Sequence, residues 1–305
     1  MNAIPSGTYH LVFHDVRPKD NEFTRWMQST ITPEDFERQL DQLLSVGRVA
    51  GLDEALEAEV EGPRFVLWFD DAYRGVIEQA APICARKNVV GAIAVNSEFV
   101  QRRSCFWRCE LSWLLENQPV NRVAQTLLKK DGLDAAAIWR RTLEEFDGPL
   151  REQIAESFGE QHWQQNFMNE SELRQLTDCG WSLANHSATH PAITARLSWK
   201  DVAQDFQRCS EYLEGIGGRG DLWVIPFDYG VVKQAVDSHR EAIGAACKSF
   251  FRAFHFAEDR GCEIPPISIT EGTDVLAQIR RALVAGKAPG FLSRISGFIR
   301  RRIKT

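Results

Sequence analysis

No Cys-x-x-Cys pair occurs in the chain, no apolar run approaches the ~20 residues that a membrane span needs, and positive charge is in deficit. Each absence excludes something. Cys84, Cys105, Cys109, Cys179, Cys209, Cys247 and Cys262 are odd in number and scattered, the pattern of free thiols in a reducing compartment and not of a disulfide scaffold or a thiolate zinc module. A net charge of -6 argues against a general nucleic-acid binder, whose surface would be basic. The stretch MNAIPSGTYHLVFHDV has no basic segment leading into a long apolar one, so no secretion signal and a cytoplasmic protein are expected. What remains is 305 residues, 44% of them hydrophobic and 26% charged, enough for one large α/β domain or two smaller ones.

Short β-rich runs alternate with helical patterns, the signature of a parallel sheet, open or closed into a barrel. YHLVFHDV, RFVLWF, VVGAIAV, WSLANHS, LWVIPF and EIPPISI read as strands. TPEDFERQLDQLLSVG reads as a helix with Thr32 as N-cap, Pro33 in the first turn and Gly47 at its end. GVIEQAAPICARKN is helical, with Pro82 expected to bend or restart it. SELRQLTDCG, WKDVAQDFQRCSEYLEGIG and KQAVDSHREAIGAAC are further helices. Between Gln101 and Leu176 the periodicity is helical with no convincing strand, which reads as a helical insertion between two strands of the main domain.

Two clusters carry chemistry. ANHSATH sets His186 and His190 four positions apart, just past a strand, where two imidazoles can reach a common ion. FVLWFDDAY ends another strand on the adjacent carboxylates of Asp70 and Asp71. Functional groups gather at the C-terminal ends of parallel strands, so both clusters are expected on one rim of the sheet. A His–His–Asp set leaves open positions on a divalent ion, as hydrolytic sites do, and the second carboxylate is then free to take a proton from water.

FDDAY followed about a hundred residues later by NHSATH resembles the polysaccharide deacetylase family, also called the NodB-homology or carbohydrate esterase 4 family. LVFHDV, ITPEDFERQLDQLL and LDEAL resemble the N-terminal portion of its subgroup acting on amino-sugar polymers, and LWVIPFDYG resembles its third motif. The likeness runs over roughly residues 7 to 270, apart from the insertion. It implies a distorted (β/α) barrel and a metal-dependent N-deacetylase of a glycan or lipid-linked amino sugar. A deformylase or other C–N amide hydrolase, and a catalytically silent carbohydrate-binding module, are the alternatives.

The resemblance further implies Asp70 as general base, and Asp71, His186 and His190 as ligands of a divalent ion, usually zinc, with Co2+, Ni2+ or Mn2+ also accepted. Tyr73, Pro226, Phe227 and Tyr229 would line the substrate groove. The family's late Leu-x-His motif is not visible, and the general acid is expected to be His14, whose place matches that of the subgroup with an extended N-terminus. His10 is expected to pack, and His162, His239 and His255 have no partner motif. Ala72 stands where the family usually has Gly, and Val224 where many members carry an Arg that holds the base.

GFLSRISGFIRRRIKT, residues 290–305, spaces Phe291, Leu292, Ile295, Phe298, Ile299 and Ile303 near a helical repeat among purely positive charges. That is the pattern of a basic amphipathic helix on an anionic membrane surface, so peripheral attachment to the inner face of the cytoplasmic membrane is expected. The catalytic domain would then be residues 1–289.

Overall fold

The strand Pro63–Asp70 is buried at every position after Pro63, as a strand flanked on both edges and covered on both faces must be. The structure is a computed structural model that describes residues 4–57, 61–144, 154, 157, 163–191, 193, 198–226, 249–252, 267–269 and 271–286. In chain order the strands are β1 (Gly7–Phe13), β2 (Asp15–Val16), β3 (Thr30–Ile31), β4 (Arg48–Val49), β5 (Pro63–Asp70) and β6 (Ala92–Val95). They continue with β7 (Ser182–Asn185), β8 (Arg219–Ile225), β9 (Ser249–Arg252) and β10 (Ile267–Ser268). The α-helices are α1 (Pro33–Leu44), α2 (Leu52–Glu57), α3 (Ala81–Arg86), α4 (Ser97–Val100), α5 (Trp107–Asn117), α6 (Val120–Leu128) and α7 (Ala135–Glu144). After these come α8 (Glu170–Asp178), α9 (Trp199–Gly215) and α10 (Val275–Gly286).

The large sheet runs β10-β1-β5-β6-β7-β8-β9, every ladder parallel, and β4 shares an edge of β5 with β6. Alternate residues of five strands meet in a single cluster: Val12, Val66, Trp68, Ala92, Ala94, Ala184, Leu222 and Val224. One face of the sheet is therefore concave, and alanines from β6 and β7 make room for Trp68. Among the described residues no ladder joins β9 to β10. The opposite face, with Tyr9, Leu11, Phe13, Phe65, Leu67 and Phe69, packs against the helices.

Helix formation follows local chemistry. Thr32 accepts from the Asp35 amide at the start of α1, Pro33 occupies the first turn, and Phe36, Leu40 and Leu43 turn inward. The helix ends on Ser45, short of Gly47. Gly47 serves close packing instead: a Cβ there would overlap the Pro63 carbonyl. Ahead of Pro82 the chain widens into a π turn, Val76–Ala80, and restarts as α3 with the proline in its first turn. Asn169 and Glu172 form a capping box on α8.

The insertion lies between β6 and β7 and has its own core, including Phe106, Trp107, Leu111, Leu114, Val123, Leu127 and Phe167. That core reaches only to Phe167, because Met168, Leu173 and Leu176 already pack into the main one. KQAVDSHREAIGAAC and the basic tail lie outside the described residues. Among the described residues no helix is long and apolar enough to cross a membrane.

Candidate metal centre

Asp70 closes β5 two residues beyond Trp68, on the concave side of the pleat. Asp71 and Ala72 then adopt left-handed backbone, with φ of 70° and 56°. The position where glycine is usual therefore does require positive φ, and Ala72 adopts it at a cost of roughly 1 kcal/mol. The turn is held from outside, the Met168 amide donating to the Ala72 carbonyl at 2.9 Å and the Arg74 amide to the Asn166 carbonyl at 2.8 Å.

His186 and His190 follow β7 on a tight loop, with Ser187 and His190 in left-handed backbone (φ 72° and 55°). Their spacing is realised by loop hydrogen bonds and not by a helical turn. The Ser187 amide donates to Asn185 Oδ1 at 2.8 Å, and the His190 amide donates to Ser187 Oγ at 2.9 Å. Asn96 donates to the His186 carbonyl at 2.6 Å. From α9, buried Asp205 accepts from the amides of Ala188 (3.0 Å) and Thr189 (3.1 Å) and from the Thr189 hydroxyl (3.0 Å).

These turns bring Asp71, His186 and His190, all buried, to one point, with one ligand atom from each within 4.8 Å of the others. Asp71 Oδ1 lies 3.2 Å from His190 Nε2 and 3.6 Å from His186 Nε2. Tetrahedral bonds of ~2.0–2.1 Å put ligand atoms about 3.3 Å apart, so the set fits a divalent transition ion. The tautomer fits too. His186 Nδ1 is 2.9 Å from the Val224 carbonyl, which can only accept, so Nδ1 carries the proton and Nε2 offers its lone pair. Burial, then the neighbouring His190, lower the His186 pKa to about 3, keeping it neutral. Burial pushes the Asp71 carboxyl up, but His190, His186 and His14 outweigh it and hold the group down at about 2. Asp71 Oδ1 faces both imidazoles, as the anionic member of a shared ligand set does.

Asp70 Oδ2 stands further off, 4.0 Å from His186 Nε2. Burial first, and then the charge of Asp71, raise its pKa well above the carboxylate range. Its buried Oδ1 has no partner among the described residues, and Val224, where an arginine is common, turns an apolar side chain into the concave core.

His14, between β1 and β2, is partly exposed and near enough for Asp71 and His190 to act on it. Burial lowers its pKa, Asp71 opposes this, and His190 adds to it. Next to it, Asp15 pairs with Arg17 under Gly75, where a Cβ would overlap the Asp15 carboxylate. Burial raises the Asp15 pKa to about 6 against the pull of Arg17.

Pro226 is buried just past the end of β8, two residues from the carbonyl that holds His186. Tyr73, expected in the groove, is instead fully buried: its ring stacks on Phe167 and its hydroxyl lies 3.5 Å from Cys109 Sγ. The turn after Asp71 directs it into the insertion and away from a cleft. His10 packs inside, accepting at Nδ1 from Trp68 Nε1 at 3.0 Å. Phe227, Tyr229, His162, His239 and His255 lie outside the described residues. Asn96, Asp205 and Phe106, which packs on His190, are site neighbours that the motifs did not reveal. Only the position of Asp205 on the helix after the loop hinted at its role.

The profile of the polysaccharide deacetylase family matches residues 57–247, more than half of the chain. The chain belongs to the polysaccharide deacetylase family. It is thus a carbohydrate de-N-acetylase, a hydrolase that removes N-acetyl groups from glycans. No curated protein matches the sequence. Among solved structures it is similar to IcaB from Ammonifex degensii, at 15% identity and a TM-score of 0.53 over 92% of this chain and 100% of that one. It is also similar to BC0361, a polysaccharide deacetylase from Bacillus cereus, at 12% identity and a TM-score of 0.54 over 89% of this chain and 68% of that one. At such identities the likeness speaks for the fold of this deacetylase alone.

Proposed function

We propose that this deacetylase acts on an amino-sugar-containing glycan or lipid-linked amino sugar, with a divalent ion, zinc first among the candidates, held by Asp71, His186 and His190. The observation carrying the proposal is the convergence of those three ligand atoms, all buried, beside a second carboxyl group that stays outside the set. A bound ion would supply Lewis acidity, polarising the amide carbonyl and making a neighbouring water more acidic.

The chain's own groups do the rest. Asp70, close to the ligands without belonging to them, takes the proton from the attacking water. His14 follows the end of β1, beside the end of β5 that carries Asp70, and gives a proton to the leaving amine, so that acetate and a free amino sugar result. The test is acetate release from a panel of N-acetylated amino-sugar oligomers and lipid-linked sugars by metal-loaded protein. Formate release from N-formyl analogues with none of acetate would turn the reading to deformylation.

A further inference from the structure

The core of the insertion extends to the turns that carry the proposed ligands. Four buried rings link the two turns that carry the proposed ligands: Phe106, Phe99, Phe167 and Tyr73, none more than 1% exposed. The His190 ring lies 4.5 Å from Phe106. Phe106 stacks on Phe99 at 5.9 Å, Phe99 meets Phe167 at 5.1 Å, and Phe167 stacks on Tyr73 at 5.1 Å. Tyr73 sits two residues after Asp71, and the Tyr73–Phe167 bridge is flanked by the hydrogen bonds of Met168 and Arg74. The arc therefore begins on one ligand and ends beside another.

Both of its ends are strained. Asp71 and His190 hold left-handed backbone, which persists only where the surroundings over-determine it. We infer that the helical insertion is a working part of the metal centre, its aromatic arc setting the separation of Asp71 and His190, with Phe106 a positioning residue for the His190 ring. Close-packed rings resist rotation, and a gap beside His190 lets its Nε2 swing away from Asp71 Oδ1, now 3.2 Å distant. The inference rests on the metal reading above.

The experiment titrates metal-free full-length protein with Co2+, reading affinity and visible absorption, for wild type, Phe106→Ala, Phe106→Leu and His190→Ala. Urea unfolding of each protein shows that it is folded. Phe106→Ala is expected to weaken Co2+ binding about tenfold and to change the absorption bands, with Phe106→Leu between it and wild type. A purely structural role for Phe106 would lower the urea midpoint and leave the affinity and spectrum of folded protein unchanged, and that result overturns the inference. If Phe106→Ala does not fold, Phe106→Leu decides on the same readouts. Retained Co2+ binding in His190→Ala would overturn the metal reading itself, whereas its loss there with wild-type binding in both Phe106 variants sinks this inference alone.

Discussion

His186 donates its Nδ1–H to the Val224 carbonyl at 2.9 Å, and that bond decides which nitrogen faces Asp71. The orienting group is backbone, so the Val224 side chain is dispensable for it. Val224→Ala is expected to keep metal affinity within about twofold while lowering stability by roughly 2 kcal/mol through lost packing in the concave core. Metal titration beside urea unfolding separates the two effects. A large loss of affinity in folded protein would contradict the assignment.

Asp205 acts on the histidines at one remove, through the amides of Ala188 and Thr189 and the Thr189 hydroxyl. Asp205→Ala leaves those donors without their acceptor, so stability should fall by about 2–4 kcal/mol and metal affinity about tenfold or more. Denaturant unfolding and metal titration of the same preparation measure both. Unchanged affinity would mean that the loop keeps its shape without its anchor.

His10 links the core to pH. Burial, and then Arg64, lower its pKa from 6.5 to about 3, so below pH 6.5 the unfolded chain takes up a proton that the native state refuses. Stability from this group is complete above pH 6.5 and is lost as pH falls toward 3, by roughly 1.4 kcal/mol per pH unit. His10→Gln keeps an acceptor for Trp68 Nε1 and removes the titration. Its urea stability should decline less steeply than wild type between pH 6.5 and 4; equal slopes would refute the assignment. The raised carboxyls of Asp15 and Asp70 act oppositely in this range but are common to both proteins.

The tail at 290–305 gives a separate prediction, because its apolar spacing and positive charge are those of an interfacial helix. Full-length protein should float with vesicles containing anionic lipid, less so in high salt, and protein ending at residue 289 should not. Equal flotation of the two would remove the proposed attachment to the inner membrane face.

Much of the site was legible because strand ends in a parallel sheet are functional positions. Asp70 after an apolar strand and His186 after Asn185 needed only the alternation of strands and helices to fall on one rim. Caps such as Thr32 and Asn169 are equally local signals. What escaped is non-local. Nothing in the FDDAY stretch says that Tyr73 turns into the insertion toward Phe167, or that Phe106 covers His190, since contacts across more than eighty residues leave no periodic trace. The left-handed backbone of Ala72 had one signal, the glycine that the family usually places there, since alanine itself carries no preference for it.

The most direct test compares metal content and acetate release in wild type, Asp70→Asn and Asp71→Asn. The account predicts that Asp70→Asn keeps one equivalent of metal and loses turnover by about 10²–10⁴-fold, and that Asp71→Asn loses the metal itself. Full metal occupancy in Asp71→Asn, or a metal-free Asp70→Asn, would contradict it.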